Sequence, residues 1–330
     1  KPKVYITRKL PEPLVKKVSD LCEVRMWQEA EIPVPRKVLE QEIQEADGLI
    51  CLLTETIDDS LINKAKNLKI IANMAVGYNN IDLDSATKRN IMVTNTPGVL
   101  TETTADLTFA LLMATARRLV EASDYLRNGD WTTWSPMQLT GQDIYGATLG
   151  IIGLGRIGEA LAKRAKGFDM NILYYNRSRK YEQEEKLGIN FASLENLLAV
   201  SDFVCIMIPY TRETHHLINE EQLSLMKENA VLVNTARGGI VNEDALYHAL
   251  KTKQIWGAGI DVFEHEPVAL DHPLLTLPNV VTLPHIGSAS IVTRTKMADL
   301  AITNLLQGVR NSIPNNLLNE IKHNEVMRNT

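Results

Sequence analysis

Thr148-Leu149-Gly150-Ile151-Ile152-Gly153-Leu154-Gly155-Arg156-Ile157-Gly158 reads as an apolar strand, a glycine turn and the start of a helix that continues to about residue 167. A G-x-G-x-x-G run alone says little. Placed between a strand and a helix, it marks a turn that cradles a dinucleotide pyrophosphate. Gly153 permits the tight turn, Gly155 lets backbone approach the pyrophosphate, and Gly158 lets helix and strand pack closely. Free amides at the helix start face the anion, so Leu154, Arg156 and Ile157 join the glycines as expected cofactor contacts. A glycine turn without a ligand is the plain alternative.

Outward from this turn, short apolar runs alternate with helical patterns along the chain. Residues 4–7, 24–27, 48–53, 70–74 and 91–94 read as strands, with helices over 12–21, 35–46, 59–66 and 83–88 between them. Such alternation implies a parallel sheet covered on both faces. The first hundred residues therefore make one small α/β domain. A single long helix is expected over 103–128, apolar all round in its middle and so buried between domains or subunits. Residues 131–144 lack a period and read as an ordered loop. The second α/β unit has strands at 148–152, 172–175, 203–208, 231–234, 259–262 and 280–283, with helices over 157–167, 194–200, 220–226 and 243–251. A helix over 290–306 is expected to pack back on the first domain. The expected division is 1–100 plus 290–330 for a substrate domain, and 101–289 for a dinucleotide-binding domain.

The end of the next strand decides the cofactor. A carboxylate about 20 residues past the turn binds the ribose 2′-hydroxyl of NAD. Here the strand runs instead into Asn176-Arg177-Ser178-Arg179-Lys180. Arginines and a serine suit a 2′-phosphate, so NADP(H) is expected ahead of NAD(H). The other reading makes Arg177 and Arg179 a solvated loop face.

Arg237, Glu266 and His285 follow in order, each just past a strand. A guanidinium holds a carboxylate bidentately and polarises an adjacent carbonyl. Reducing a ketone also needs a proton donor at oxygen, and a histidine beside a carboxylate supplies one in a fixed tautomer. Singly, an arginine at a strand end suits a surface ion pair, and a histidine a structural role. Their joint placement after a cofactor turn favours chemistry. Val76 and Gly77, at a strand end in the first domain, are candidate amide donors to a substrate carboxylate, or a plain loop. His215, His216, His248, His265, His272 and His323 are expected to be structural or peripheral.

Over 330 residues, 45% hydrophobic and 23% charged content is ordinary for a globular enzyme of about two domains. A net charge of −5 argues against a broad nucleic-acid surface. No apolar run nears the roughly 20 residues that span a bilayer, and the N-terminus opens on a strand rather than a signal peptide. Cys22, Cys51 and Cys205 lack metal-ligand spacing. Buried reduced thiols, a cytoplasmic location and no metal site are expected.

With these residues in view, the chain resembles the D-isomer-specific 2-hydroxyacid dehydrogenases over essentially its whole length. The resemblance rests on Val76-Gly77-Tyr78-Asn79-Asn80-Ile81-Asp82 and on the segments 148–160, 233–243, 259–267 and 283–289. It implies two Rossmann-like α/β domains, one flavodoxin-like and one dinucleotide-binding, with parallel sheets and a cleft between them. It further implies an NAD(P) cofactor, usually a homodimer, and roles for Arg237 as substrate arginine, Glu266 as histidine partner and His285 as acid/base. Thr104, Pro209, Thr235, Ala236, Asp261 and Gly287 are added as implied cofactor contacts. Within the family it looks most like the glyoxylate/hydroxypyruvate reductases, through Val99-Leu100-Thr101-Glu102-Thr103-Thr104-Ala105, Trp131-Thr132-Thr133-Trp134 and the basic strand end. Glu266 stands where formate dehydrogenases have glutamine, and the chain's end leaves no room for the regulatory domain of many phosphoglycerate dehydrogenases. The implied reaction is NADPH-preferring reduction of small 2-oxo acids, glyoxylate to glycolate and hydroxypyruvate to D-glycerate. The alternatives are a dinucleotide-sensing protein like the C-terminal-binding-protein corepressors, or a dehydrogenase of a larger 2-hydroxy acid.

Overall fold

The computed structural model describes residues 1–321 and divides the chain into two compact units, Lys1–Leu100 with Ser290–Thr330, and Thr101–Ala289. In the first unit β1 (Lys3–Ile6), α1 (Glu12–Ser19), β2 (Glu23–Met26), α2 (Arg36–Glu42), β3 (Gly48–Cys51), α3 (Asp59–Ile62), β4 (Ile70–Asn73), α4 (Leu83–Lys88) and β5 (Met92–Thr94) alternate strictly. All strand pairs are parallel, in the order β2-β1-β3-β4-β5, the flavodoxin-like order. β3, β4 and β5 are buried along their whole length because both faces are covered, whereas the edge strand β2 alternates between exposed and half-buried residues. Leu49, Cys51, Ile71 and Val93 pack on one face with Leu39, Ile43 and Leu61. Ile50, Ile70, Ala72 and Met92, one residue out of phase, pack on the other.

The second unit opens with α5 (Thr101–Ala116) and α6 (Leu119–Arg127). The single helix expected over 103–128 is broken, because Arg118 takes the left-handed conformation at φ 55°. Its guanidinium is fixed by both oxygens of Glu121, at 2.9 and 2.7 Å. The Ala116 carbonyl accepts the amide of Gln142 (2.9 Å), so the loop after α6 takes over a bond the helix would have made. The apolar residues of α5, including Phe109, Leu111 and Leu112, are covered inside this unit by strand residues such as Leu149, Ile151 and Val233. That run therefore gives no reason for a second copy.

The sheet of this unit follows with β6 (Thr148–Ile152), α7 (Arg156–Lys166), β7 (Asn171–Tyr175), α8 (Tyr181–Leu187), β8 (Asn190–Phe191), α9 (Leu194–Val200), β9 (Phe203–Ile206), α10 (Glu220–Leu225), β10 (Val231–Asn234), α11 (Glu243–Lys251), β11 (Gly257–Ile260) and β12 (Val280–Thr282). The order is β12-β11-β10-β9-β6-β7-β8, all parallel. Counted from β6 this is the 3-2-1-4-5-6 dinucleotide order with one added strand. The last helix, α12 (Ile291–Val309), returns to the first unit, where Ala298, Ile302, Leu305 and Val309 pack on Ile50 and Ile70. Cys22, Cys51 and Cys205 are free and buried. Among the described residues no helix is long and apolar enough to cross a membrane, and no cluster of His, Cys, Asp or Glu could hold a metal ion.

Candidate active site

The glycine turn sits between β6 and α7, at the point where strand order reverses from β7 to β9. Gly153 has φ +100°, and a Cβ there would lie 2.5 Å from the Ile208 side chain. A Cβ on Gly158 would lie 2.4 Å from the Gly153 carbonyl oxygen, so helix and turn touch through backbone alone. A Cβ on Gly155 would meet nothing within 4 Å, which leaves the turn open at that point. The first turn of α7, through Arg156, Ile157 and Gly158, adds amides that have no partner within the helix. These features fit a dinucleotide pyrophosphate.

Asn176 braces the turn. Its Oδ1 accepts the Leu154 amide at 3.0 Å, while the Gly153 amide donates to the Tyr175 carbonyl at 2.9 Å. Arg177 and Ser178 are exposed just beyond it. Arg179 is held otherwise: its Nε and Nη2 donate to the two oxygens of Glu184 at 2.7 and 2.8 Å. Glu184 also accepts the Tyr174 hydroxyl at 2.7 Å. Those two donors hold its carboxyl below the usual range. Glu184 lies on α8, a polar surface helix absent from the sequence reading.

His285 and Glu266 come from two loops at the carboxyl end of the sheet. His285 Nδ1 lies 2.7 Å from Glu266 Oε2, with both side chains partly buried. The other Glu266 oxygen accepts the Phe263 amide at 2.9 Å. Burial pushes the Glu266 carboxyl up, but its bond to His285, the charges of His285 and Arg237 and the Phe263 amide outweigh that and leave it below normal. Arg237 is partly buried, and desolvation pulls its guanidinium down while Glu266 opposes the shift. Its Nη1 donates to the Ala236 carbonyl at 2.7 Å. Asn234, a buried residue the sequence reading passed over, shapes this loop. Its Oδ1 accepts the Ala236 amide (3.1 Å) and its Nδ2 donates to the Arg237 carbonyl (2.9 Å).

Asp261 is buried at the end of β11. Its two carboxylate oxygens accept the amides of Ile286 (2.8 Å) and Gly287 (2.9 Å). Burial raises its carboxyl, against those two amides and the charge of His285. A Cβ on Gly287 would fall 3.4 Å from Asp261 Oδ2 and 3.5 Å from Thr104 Cγ2, so these three residues meet. Thr235 joins them through Thr108, whose Oγ1 lies 2.6 Å from Thr235 Oγ1 and donates to the Thr104 carbonyl. Pro209 is exposed beyond β9, with its carbonyl accepting from Thr214 Oγ1. Val76 and Gly77 lie in the other unit, half-buried beyond β4.

Of the remaining histidines, His215, His216 and His272 brace loops of the second unit, while His265 is exposed. His216 pairs with Glu264 at 2.8 Å under a stacked His215, and His272 pairs with Glu243 at 2.8 Å. The expectation for His323 lies outside the described residues.

Residues 109–287 match the family model of the D-isomer specific 2-hydroxyacid dehydrogenase NAD binding domain. A glyoxylate reductase of Pyrococcus horikoshii is 53% identical over 323 residues, covering 97% of this chain and 96% of that protein. One from Korarchaeum cryptofilum is 52% identical over 321 residues, covering 97% and 96%. A crystal structure of a Thermus thermophilus protein superposes with a TM-score of 0.90 at 44% identity, covering 96% of this chain and all of that one. An NADPH-dependent glyoxylate/hydroxypyruvate reductase of Sinorhizobium meliloti, solved with NADP and malonate, superposes at 0.83 with 32% identity over 98% of this chain and 99% of its own. With more than half of the chain matching that family model, and relatives about half identical over nearly its whole length, the chain belongs to the D-isomer-specific 2-hydroxyacid dehydrogenases, NAD(P)-dependent oxidoreductases.

Proposed function

We propose that this enzyme reduces glyoxylate to glycolate, and hydroxypyruvate to D-glycerate, with NADPH preferred over NADH. The observation that carries the chemistry is the 2.7 Å pair of His285 and Glu266 in the unit that also holds Arg237 and the glycine turn. The naming of relatives about half identical to this chain as glyoxylate reductases supports the substrate. When bound, the reduced nicotinamide supplies the hydride that reaches the carbonyl carbon. Arg237 holds the substrate carboxylate together with the amides of Val76 and Gly77, and its charge polarises the neighbouring carbonyl. His285 gives its proton to the carbonyl oxygen as that oxygen gains charge. Glu266, bonded to Nδ1, keeps Nε2 as the atom that carries this proton and stabilises the imidazolium beforehand.

The cofactor preference is supported by the lack of a carboxylate at the end of β7. Asn176 is occupied with the Leu154 amide, and Arg177 and Ser178 are the exposed groups suited to a 2′-phosphate. Free buried thiols suit a cytoplasmic enzyme. A homodimer remains our reading, now on different residues: Leu119, Val120 and Leu126 of α6, with Trp131, Trp134 and Met137 beyond it, are exposed and suit a second copy. Light scattering is expected to give twice the chain mass; a monomer would remove that reading.

The deciding experiment follows NADPH and NADH oxidation by absorbance with glyoxylate, hydroxypyruvate, pyruvate and a bulkier 2-oxo acid. Fast NADPH turnover on the first two is expected. Dinucleotide binding without turnover would favour a sensor, and turnover confined to the bulky acid a different dehydrogenase.

A further inference from the structure

Three successive carbonyls beyond β4 are tied into the body of the first unit. The Ala75 carbonyl accepts the Thr96 amide at 2.9 Å. The Val76 carbonyl accepts Asn95 Nδ2 at 2.9 Å, and the Gly77 carbonyl accepts Asn73 Nδ2 at 3.0 Å. In a planar trans peptide, a carbonyl and the amide of the following residue point in opposite directions. Each tether therefore turns an amide away from its anchoring partner: the Val76 amide through Thr96, the Gly77 amide through Asn95, and the Tyr78 amide through Asn73. None of these three amides donates to an acceptor among the described residues. Unpaired amides in sequence beyond a parallel strand form a concavity suited to an anion.

Both asparagines are held firmly. Asn73 is fully buried in β4, where its Oδ1 accepts the Cys51 thiol at 3.5 Å from the neighbouring strand. Asn95 is buried beyond β5, and its own carbonyl accepts Asn304 Nδ2 at 3.2 Å from α12. Their side-chain amides thus lock two peptide planes of a half-buried loop onto the sheet.

We infer that Asn73 and Asn95 are positioning residues for the substrate carboxylate, aiming the amides of Tyr78 and Gly77, so that three donors rather than two meet the anion. This rests on the reading above that the Val76–Gly77 loop binds that carboxylate. The carboxylate takes no part in bond making. Misaimed donors should therefore weaken ground and transition states alike, raising KM with little change in kcat.

The test has two arms. Amide resonances of Val76, Gly77 and Tyr78 in the wild-type enzyme are followed on adding glycolate with NADP+. All three should shift. No shift in any of them ends the carboxylate reading itself; a silent Tyr78 beside responding neighbours ends the role of Asn73. In the kinetic arm, Asn95→Asp turns an oxygen toward the Val76 carbonyl, and Asn95→Leu removes the donor without adding charge. Each is expected to raise KM for glyoxylate about tenfold or more, with kcat and NADPH affinity near wild type. Responding amides in the wild type together with unchanged KM in both folded variants would leave Asn95 a merely structural residue and overturn the inference. A fall in thermal stability without a KM change reads the same way.

Discussion

The backbone amide of His285 donates to the carbonyl of Asp261 at 2.9 Å, and the carboxylate of the same Asp261 receives the next two amides of the chain. His285 sits at φ 54°, a left-handed conformation that costs a non-glycine residue about 1–3 kcal/mol. Three bonds from one buried residue hold it there. The imidazole is aimed from the end of β11 rather than by its own strand.

Asp261→Ala should therefore loosen the histidine as well as the fold. Two amides lose their acceptor, at a cost of about 1–3 kcal/mol each where they stay dry. Denaturant unfolding should show a lowered midpoint, and kcat should fall in the folded variant. An enzyme that keeps its full kcat would show that His285 needs no such support.

Glu266→Gln keeps an acceptor for His285 Nδ1 but removes the charge. The proposed reduction needs a proton at His285 Nε2, and the charge that would stabilise the imidazolium is gone, so kcat should fall in the folded variant. Stability gives an independent check. The Glu266 carboxyl lies below its usual value in the folded enzyme, so its contribution is present above the unfolded-state value and is lost as pH falls through the folded one. The stability gap between wild type and variant should accordingly narrow on acidification below about pH 4.5. His285→Ala should lower kcat by roughly 10²–10⁴ while sparing NADPH binding; undiminished turnover would refute its role.

Gly158→Ala places a methyl 2.4 Å from the Gly153 carbonyl oxygen, where only backbone could move. Overpacking of this kind costs about 1–3 kcal/mol. It also spreads the turn from the helix whose amides should face the pyrophosphate. NADPH titration by fluorescence is expected to show weaker binding, and unchanged affinity would mean that the turn adapts.

Arg177→Ala and Glu184→Gln should move cofactor choice in opposite directions. The first removes an exposed cation suited to a 2′-phosphate. The second releases Arg179 from its two-point pairing and frees it for the same phosphate. The ratio of kcat/KM for NADPH over NADH should fall roughly fivefold in Arg177→Ala and rise in Glu184→Gln. Parallel changes in both variants would show that neither group reads the phosphate.

Much of the fold was legible because parallel strands buried on both faces are unbroken apolar runs. β6 and β10 coincide with their expected limits, as do α4, α9 and α11. Those three helices start behind Asp82, Ser193 and Asn242, whose side chains accept amides of the first turn. The break at Arg118 was not legible, since no glycine or proline marks it and its cause is a loop more than twenty residues on. α8 escaped for a different reason. Only Leu187 among its seven residues is buried, so its apolar period is too weak to see.

From the sequence alone came the alternating architecture, the dinucleotide turn and the position of an arginine, a glutamate and a histidine just past strands. These depend on residue types at short spacing: glycines where backbone must turn or touch, and polar groups where an apolar strand ends. Only the tertiary structure decided which donors and acceptors meet. Asn176 braces the glycine turn, Glu184 occupies Arg179, Asp261 holds the histidine loop, and Asn73 and Asn95 orient the loop beyond β4. Each of these contacts joins segments brought together by strand order. A hydrogen bond depends on distance and direction in space, and strand order sets both for residues far apart in the chain.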